Sequence, residues 1–584
     1  MSMLRSRRPR RGGPVAAAAL IVALLAASCG GEKASDGESG PPDKQDSCLE
    51  VSCGESGLEE AGEPQRGGTI VYGIEAESSG GFCIPEAQLA ISGQLVVRAI
   101  YDPLTVPNAD GGYSPYLAES ITPNDDFTEW TIEVRDGVTF HDGSKLTGEV
   151  VKNNIDANRG KYPTRKPLLA SFTLGNIDTV TAEGQTVTVT TKVPWVAFPA
   201  FLNGGNRFGI MAQAQLDDTE TCDRKLIGTG PFKFEDWAPN DRLRASRNED
   251  YWQIAPDGEP YPYADAIEFR VLADFQVRLN SLASSDGINI MHTSNAEAIG
   301  GELLDRREAG EVNMVVSEAS AETTFIQLNN TQPPFDDIRM RKALAVGLDR
   351  DELNDTQNDG LPTVADGPFA PDTSSYVEDP GFPDFDPEEA KALIADYEAD
   401  GGKAKFTLTT GVDPATLRFA ELIQQRAKKV GFDISLVKRD QAAIIDDAIG
   451  KKYQAMLFRN FPGGDPDGNY VWWYGEDNPV NFSGYNDPDI NRLLDEGRSE
   501  TDPEKRQAIY QEINGVFAEQ VYSIWAWFTP WAVVEDAKVH GVFGPPLPGE
   551  DASKPGKTST DDPALQPTQG LANGHALHGL WVEQ

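Results

Sequence analysis

From Gly67 onward the chain shows two hydrophobic periods. Apolar residues recurring every second position predict strands at Gly68–Gly73 (GTIVYG), Trp130–Val134 (WTIEV), Thr186–Thr191 (TVTVTT), Ala266–Leu272, Asn313–Val316, Thr324–Leu328, Lys405–Thr410 and Phe432–Val437. Helical spacing predicts helices at Gln88–Ile100, Thr147–Asn158, Asp336–Leu348, Pro387–Tyr397, Pro414–Val430 and Asp502–Glu519. The last opens with Asp502 as N-cap and Pro503 at the first helical position. Asp136-Gly137 reads as a hairpin turn between Trp130–Val134 and Gly137–Phe140. The stretch from Lys405 to Val437 is a strand–helix–strand unit, and an aromatic strand-like run follows at Ile524–Trp531. No fixed repeat is visible. Parallel units mixed with hairpins predict two α/β lobes and an α+β insert.

The N-terminus has a different pattern. Arg5, Arg7, Arg8, Arg10 and Arg11 precede an apolar run, Pro14–Ala27, too short for a spanning helix of about 20 residues. The pattern is that of a signal peptide. Leu25-Ala26-Ala27-Ser28-Cys29 resembles a bacterial lipobox, in which the Cys is lipidated and begins the mature chain. It departs by placing Ala26, rather than Leu, three positions before the Cys; ordinary secretory cleavage is the alternative. Gly30–Arg66 is rich in Gly, Glu, Ser, Asp and Pro and reads as a disordered tether. No later stretch reaches about 18 unbroken apolar residues.

Composition narrows the partners. The chain has 584 residues, three or four domain-sized units at about 150 residues each. Lys and Arg total 51 against 92 Asp and Glu, a net charge of −41, which excludes nucleic acid as a main partner and leaves a lipid anchor as the only membrane contact. Ten Trp and 25 Phe supply a core. Five Cys leave four if Cys29 carries lipid. The preferred pairing is Cys48 with Cys53 and Cys83 with Cys222, although four Cys allow three connectivities.

Several motifs then line up. Tyr101-Asp102-Pro103-Leu104, Pro115–Ser120 (PYLAES) and Phe127–Val151 (FTEWTIEVRDGVTFHDGSKLTGEVV) are followed by Val193–Leu202, Ile227–Phe232 (IGTGPF), Arg247–Trp252 (RNEDYW), Pro334–Leu344 (PFDDIRMRKAL), Asp386–Leu393, Asp465-Pro466-Asp467 and Tyr510–Ile513. In this order, from about Gly67 to about Trp531, they resemble the extracellular solute-binding proteins of family 5, the oligopeptide, dipeptide and nickel-binding components of ABC importers.

The resemblance implies a two-lobed, type II periplasmic-binding-protein-like α/β fold with a hinge and an α+β subdomain inserted in the first lobe. The chain divides accordingly: 1–28 signal peptide, 29–66 tether, 67–110 with 225–325 and 520–584 first lobe, 111–224 insert, 326–519 second lobe. With the Leu25–Cys29 motif, the expected form is a monomer, lipid-anchored on the outer face of the cell membrane. This protein would capture peptides by lobe closure and hand them to an ABC permease with its ATPase. A non-peptide solute, oligosaccharide or metal complex, is the alternative.

The ligand is expected between lobes. Trp472, Trp473 and Tyr474 offer rigid faces with polar tips, against the alternative of simple core burial. Family peptide binders usually carry an Asp for the peptide ammonium where this chain has Pro462. Asp465 is a substitute, with a turn-forming role as its alternative. Arg459 and Asn460 suit a carboxylate or hydroxyls. Glu75 and Phe82, in the loop after the first strand, complete the expected set.

Other motifs read as structural. Gly228-Thr229-Gly230-Pro231 lacks a following Lys-Ser/Thr and reads as a tight chain crossing, not a phosphate loop. His141 reads as a hydrogen-bonded turn residue, and Asp336, Asp337, Arg339 and Arg341 as a helix start with solvated cations. Asp465, Asp467, Asn469 and Glu476 match four places of a calcium loop, but Tyr470 stands where Gly is required. Five His and no CxxC argue against zinc. Ser435–Lys438 matches S-x-x-K without its companion motifs, and no G-x-S-x-G or H-E-x-x-H occurs. No cofactor, resident metal or catalytic residue is expected; a secreted hydrolase is the remote alternative.

Overall fold

The computed structural model describes residues 62–584 except 79, 88, 168–169, 206, 283, 285–286, 461–463, 479, 550–561, 569 and 573. Cys29, Cys48, Cys53, the signal sequence, nearly all of the tether and Pro462 therefore lie outside the described residues.

A ten-stranded sheet frames both lobes. Across it run Asp433–Lys438, Lys405–Thr410, Ala455–Asn460, Val312–Leu328, Ser523–Asp536, Ile290–Thr293, Thr69–Ile74, Ala266–Val271, Arg242–Arg247 and Phe232–Ala238. Lys405–Thr410 lies parallel to both neighbours, as a strand–helix–strand unit requires. Thr69–Ile74 likewise lies parallel to Ala266–Val271 and Ile290–Thr293. The first three strands belong to the second lobe and the last five to the first. The two long central strands pass through both.

Those crossing strands are antiparallel and slip twice, by one residue between the pairs Thr324–Trp527 and Phe325–Trp525 and more widely between Ser317–Trp531 and Glu322–Thr529. Residues 318–321 there face only Pro530. Proline has no N–H to donate, so the ladder cannot run through it. The core changes at the same point. Phe325, Ile326, Leu328, Trp525 and Phe528 pack into the second lobe with Leu344, Phe406 and Phe419. Val312, Met314, Val316, Ala532 and Val534 pack with first-lobe Leu279 and Ile299. The sequence predicts Asn313–Val316 and Thr324–Leu328 as separate strands; they are one, and Ser317–Glu322, small and polar, breaks its alternation at this seam.

The insert is a four-stranded sheet, Ala118–Pro123, Glu129–Val134, Thr186–Thr191 and Ile177–Glu183 in spatial order. Helix Gly148–Asn158 covers it, its start capped by Thr147 accepting from the Val150 N–H. Trp130, Ile132, Val151, Ile155, Val187 and Val189 fill the space between. The Asp136-Gly137 hairpin is a correction. Glu129–Val134 pairs with Ala118–Pro123 and Thr186–Thr191, so both its edges are occupied, and the turn instead opens a small loop bridged at Thr139–Lys145.

Two predicted structural roles are visible. A Cβ on Gly228 would lie 1.9 Å from the Ile100 carbonyl oxygen, and one on Gly230 2.6 Å from the Ile100 carbonyl carbon, so both glycines permit a close chain crossing. His141 ties that crossing: Nδ1 accepts from the Gly228 N–H at 3.3 Å, so Nε2 carries the hydrogen and donates to the Gly230 carbonyl at 2.9 Å. Burial lowers the His141 pKa to about 4, keeping it neutral. Cys83 and Cys222 form a disulfide with Cα atoms 5.1 Å apart. The tail packs more than its composition suggests. Leu571, Leu577 and Leu580 join the first-lobe core, and Trp581–Val582 pairs with Val539–His540. Among the described residues, no helix is long and apolar enough to cross a membrane.

Candidate solute-binding site

Where the lobes face each other, charged side chains from four segments converge. Arg459, near the end of strand Ala455–Asn460, donates from Nη1 to Ser294 Oγ of the first lobe at 2.6 Å. Its guanidinium lies 3.8 Å from Glu75 and 3.7 Å from Glu322, and 5.4 Å from the Trp531 ring centre. Glu75 follows strand Thr69–Ile74 and also lies 3.9 Å from Arg278. Trp531 donates its indole N–H to Glu322 at 3.2 Å. A second link between lobes is the Arg418–Glu297 ion pair.

Two carboxylates and the Arg459 guanidinium thus share one cleft, with Arg278, 3% exposed, buried behind Glu75. Burial works against the Arg459 charge, but Glu322 and then Glu75 outweigh it and raise its pKa. Burial pushes Glu322 upward, partly offset by Arg459. The Arg459 side chain keeps 35% of its surface exposed, and its contacts to both carboxylates exceed hydrogen-bond length. Such a cluster can exchange its internal pairs for the ammonium and carboxylate of a solute.

On the opposite face of the second-lobe sheet lies a cavity walled mainly by aromatic side chains. Residues alternate across a strand, so Asn460 and Phe458 face the cavity while Arg459 faces the cleft cluster. Trp472 and Trp473 line this cavity too, Trp473 packed edge-on against Phe369 and Phe517.

The remaining expected residues lie elsewhere. Phe82 is 1% exposed, edge-on to Trp237 in the first-lobe core, so it presents no face to a solute. Its loop is held inward by the Cys83–Cys222 bridge and by the Phe82 N–H donating to the Asp223 carbonyl. Tyr474 stacks on Tyr470 at 4.6 Å and lies beside Phe172 of the insert, outside the cavity wall. Asp465 is held by Arg506 at 2.6 and 3.0 Å and caps the turn Pro466–Asn469, so it is not free for an ammonium group. Asp467 accepts from Trp195 of the insert at 2.7 Å and from Arg498 at 3.0 Å. Arginines therefore occupy two carboxylates of the calcium-loop pattern. Among the described residues, no group of three or more His, Cys, Asp and Glu could hold a metal ion.

Glu322, Ser294, Arg278 and Trp531 join the site without a sequence signal of their own. Each sits in an otherwise ordinary strand, loop or helix, and only the fold brings them together.

Two α/β lobes joined through shared strands, with a polar cleft between them, define a binding protein that closes over a small solute. Residues 112–482 match the bacterial extracellular solute-binding proteins, family 5 Middle, and the chain belongs to that family. It is similar to the oligopeptide-binding protein AppA of Bacillus subtilis, 24% identical over 499 residues, covering 80% of this chain and 87% of the relative. The nickel-binding periplasmic protein of Escherichia coli is 27% identical over 364 residues, covering 59% and 67%. The AppA structure in complex with a nonapeptide superposes with a TM-score of 0.73 at 21% identity, covering 89% of this chain and 100% of that one.

Proposed function

We propose that this protein captures peptides outside the cell membrane and delivers them to an ABC permease and its ATPase. The observation that carries the reading is Arg459 reaching Ser294 and Glu75 across the cleft. A solute replacing those contacts touches both lobes, and its binding favours closure by the difference in its affinity for the closed and open forms. Peptides are supported by the AppA and Di/tripeptide-binding protein 1 relatives. With Asp465 engaged by Arg506, the peptide ammonium is assigned to Glu75 and Glu322 and its carboxylate to Arg459. A monomer anchored by lipid at Cys29 fits this role; the Leu25–Cys29 motif and the polar tether after it support the anchor.

The test is thermal unfolding with free peptides of two to nine residues, N-acetylated peptides, oligosaccharides and a nickel–histidine complex. A solute at 100 times its Kd adds about 2.7 kcal/mol to stability. A shift with free but not acetylated peptides is expected. A shift only with sugar or nickel–histidine would replace the peptide reading. Intact mass of the membrane-extracted protein should show a chain beginning at Cys29 with a diacylglyceryl group; another start overturns the anchor.

A further inference from the structure

The cavity behind Arg459 has a chemistry that the charged cleft lacks. It begins at Thr323 and Asn460, the last register pair of their strands on the side of the first lobe. It reaches down to Gln327 and Ser523, four residues along the same strand, or about 13 Å at the rise of a strand. Its walls are aromatic: Phe325 packs on Trp525 at 5.1 Å and Trp472 on Phe482 at 5.6 Å between ring centres. Among the described residues, none that lines it is Asp, Glu, Lys, Arg or His.

Two buried donors in this wall have no partner. Trp525 is 3% exposed and Tyr485 is 6% exposed, and neither the Trp525 indole N–H nor the Tyr485 hydroxyl makes a hydrogen bond. Other polar groups of the wall are engaged: Thr323 donates to the Pro368 carbonyl and Gln327 to the Tyr453 hydroxyl. An unmatched buried donor is costly unless something fills it. Burial holds the Tyr485 hydroxyl well above its ordinary pKa, so it stays a donor.

We propose that this cavity takes an uncharged aromatic group bearing an acceptor oxygen, the size of a tyrosine side chain, from the solute held at Arg459. The proposal rests on the reading that solute lies between the lobes. Ring faces supply stacking surface, Trp525 and Tyr485 each supply an unpaired donor, and the lack of ionic side chains rejects a charged group. Specificity would then divide between the two faces of one sheet: the ends of the solute are read by charge, and one side group is read in the cavity.

The test uses the full chain and two probe sets. In the first, p-cresol, toluene and p-toluate are compared by ligand-detected NMR. In the second, Ala-Tyr-Ala and Ala-Phe-Ala are compared by calorimetry. Each is repeated with Tyr485→Phe, which keeps the ring and removes its hydroxyl, and Trp525→Phe, which replaces the indole with a smaller ring that has no donor; melting curves confirm folding. We expect p-cresol to bind most tightly, and the tyrosyl peptide to be preferred about tenfold, with that preference falling to near unity in both variants. Binding of p-cresol without any peptide would uphold the cavity and overturn the peptide reading. Peptide binding with no tyrosyl preference, unchanged in either variant, would overturn the cavity while leaving solute capture intact. Binding of neither probe set overturns both.

Discussion

Two clusters in this molecule are built from the same residue types and behave differently. Asp465, Asp467, Arg498 and Arg506 lie where the insert meets the second lobe; Glu75, Glu322, Arg278 and Arg459 lie between the lobes. In the first, the contacts are 2.6 to 3.1 Å, Asp467 is 0% and Arg498 5% exposed, and Trp195 and Tyr510 take up the remaining acceptor capacity. In the second, the carboxylate–guanidinium contacts are 3.7 to 3.9 Å, and although Arg278 is 3% exposed, Arg459 is one-third exposed. Short, buried pairs hold a fold together. Longer, partly solvated ones leave room for a guest.

The largest effect expected from this contrast is on stability. Asp467→Ala leaves Arg498 buried without a carboxylate and should cost about 3–5 kcal/mol, read as a lower urea midpoint. Arg459→Ala should leave the midpoint within about 1 kcal/mol, because its carboxylate pairs are long and partly solvated. Its effect should appear in solute titration instead, as a loss of about 1.5–3 kcal/mol, the range for a charge-assisted hydrogen bond. Equal stability losses in the two variants would erase the distinction. Ionic strength sharpens it further. Raising salt to about 1 M shortens the screening length to about 3 Å, so solute affinity should fall several-fold while melting moves little.

A pH-dependent effect concerns Glu318, at the wider slip between the crossing strands. Burial raises its pKa from 4.5 to about 7, with Thr363 offsetting only part of the rise. The unfolded chain releases this proton near pH 4.5 and the folded chain near pH 7. Stability from this group is therefore present below about pH 4.5 and declines as pH rises toward 7. Glu318→Gln should flatten that decline in melting temperature; an unchanged slope would show that Glu318 ionises normally.

The contrast between clusters also explains what could be read from the sequence. Thr186–Thr191, Lys405–Thr410 and Pro414–Val430 have the bounds their patterns predict, because each carries a clean period, and Asp413 caps the helix by accepting from the Thr416 N–H. Strands Phe232–Ala238 and Arg242–Arg247 escape notice because charged residues occupy much of both, and they pair as an antiparallel edge. Glu75 and Arg459 are legible, one from its place after the first strand and one beside the aromatic segment. Nothing local separates Glu322 from the other acidic residues of a chain with 92 of them. Phe82 and Tyr474 mislead for a related reason: aromatic type marks a surface that must pack, and which partner it finds is a property of the whole fold.

The seam at Pro530 has a consequence for the molecule's dissection. The lobes are joined by the interiors of two strands, not by a tether between finished domains. A cut at the slip would leave each half with severed strands and unpaired backbone along a new sheet margin, a surface that recruits other chains. Neither lobe is an excisable module, and tags or insertions belong in peripheral loops such as Asp110–Gly112, well away from Ser317–Glu322 and Thr529–Trp531.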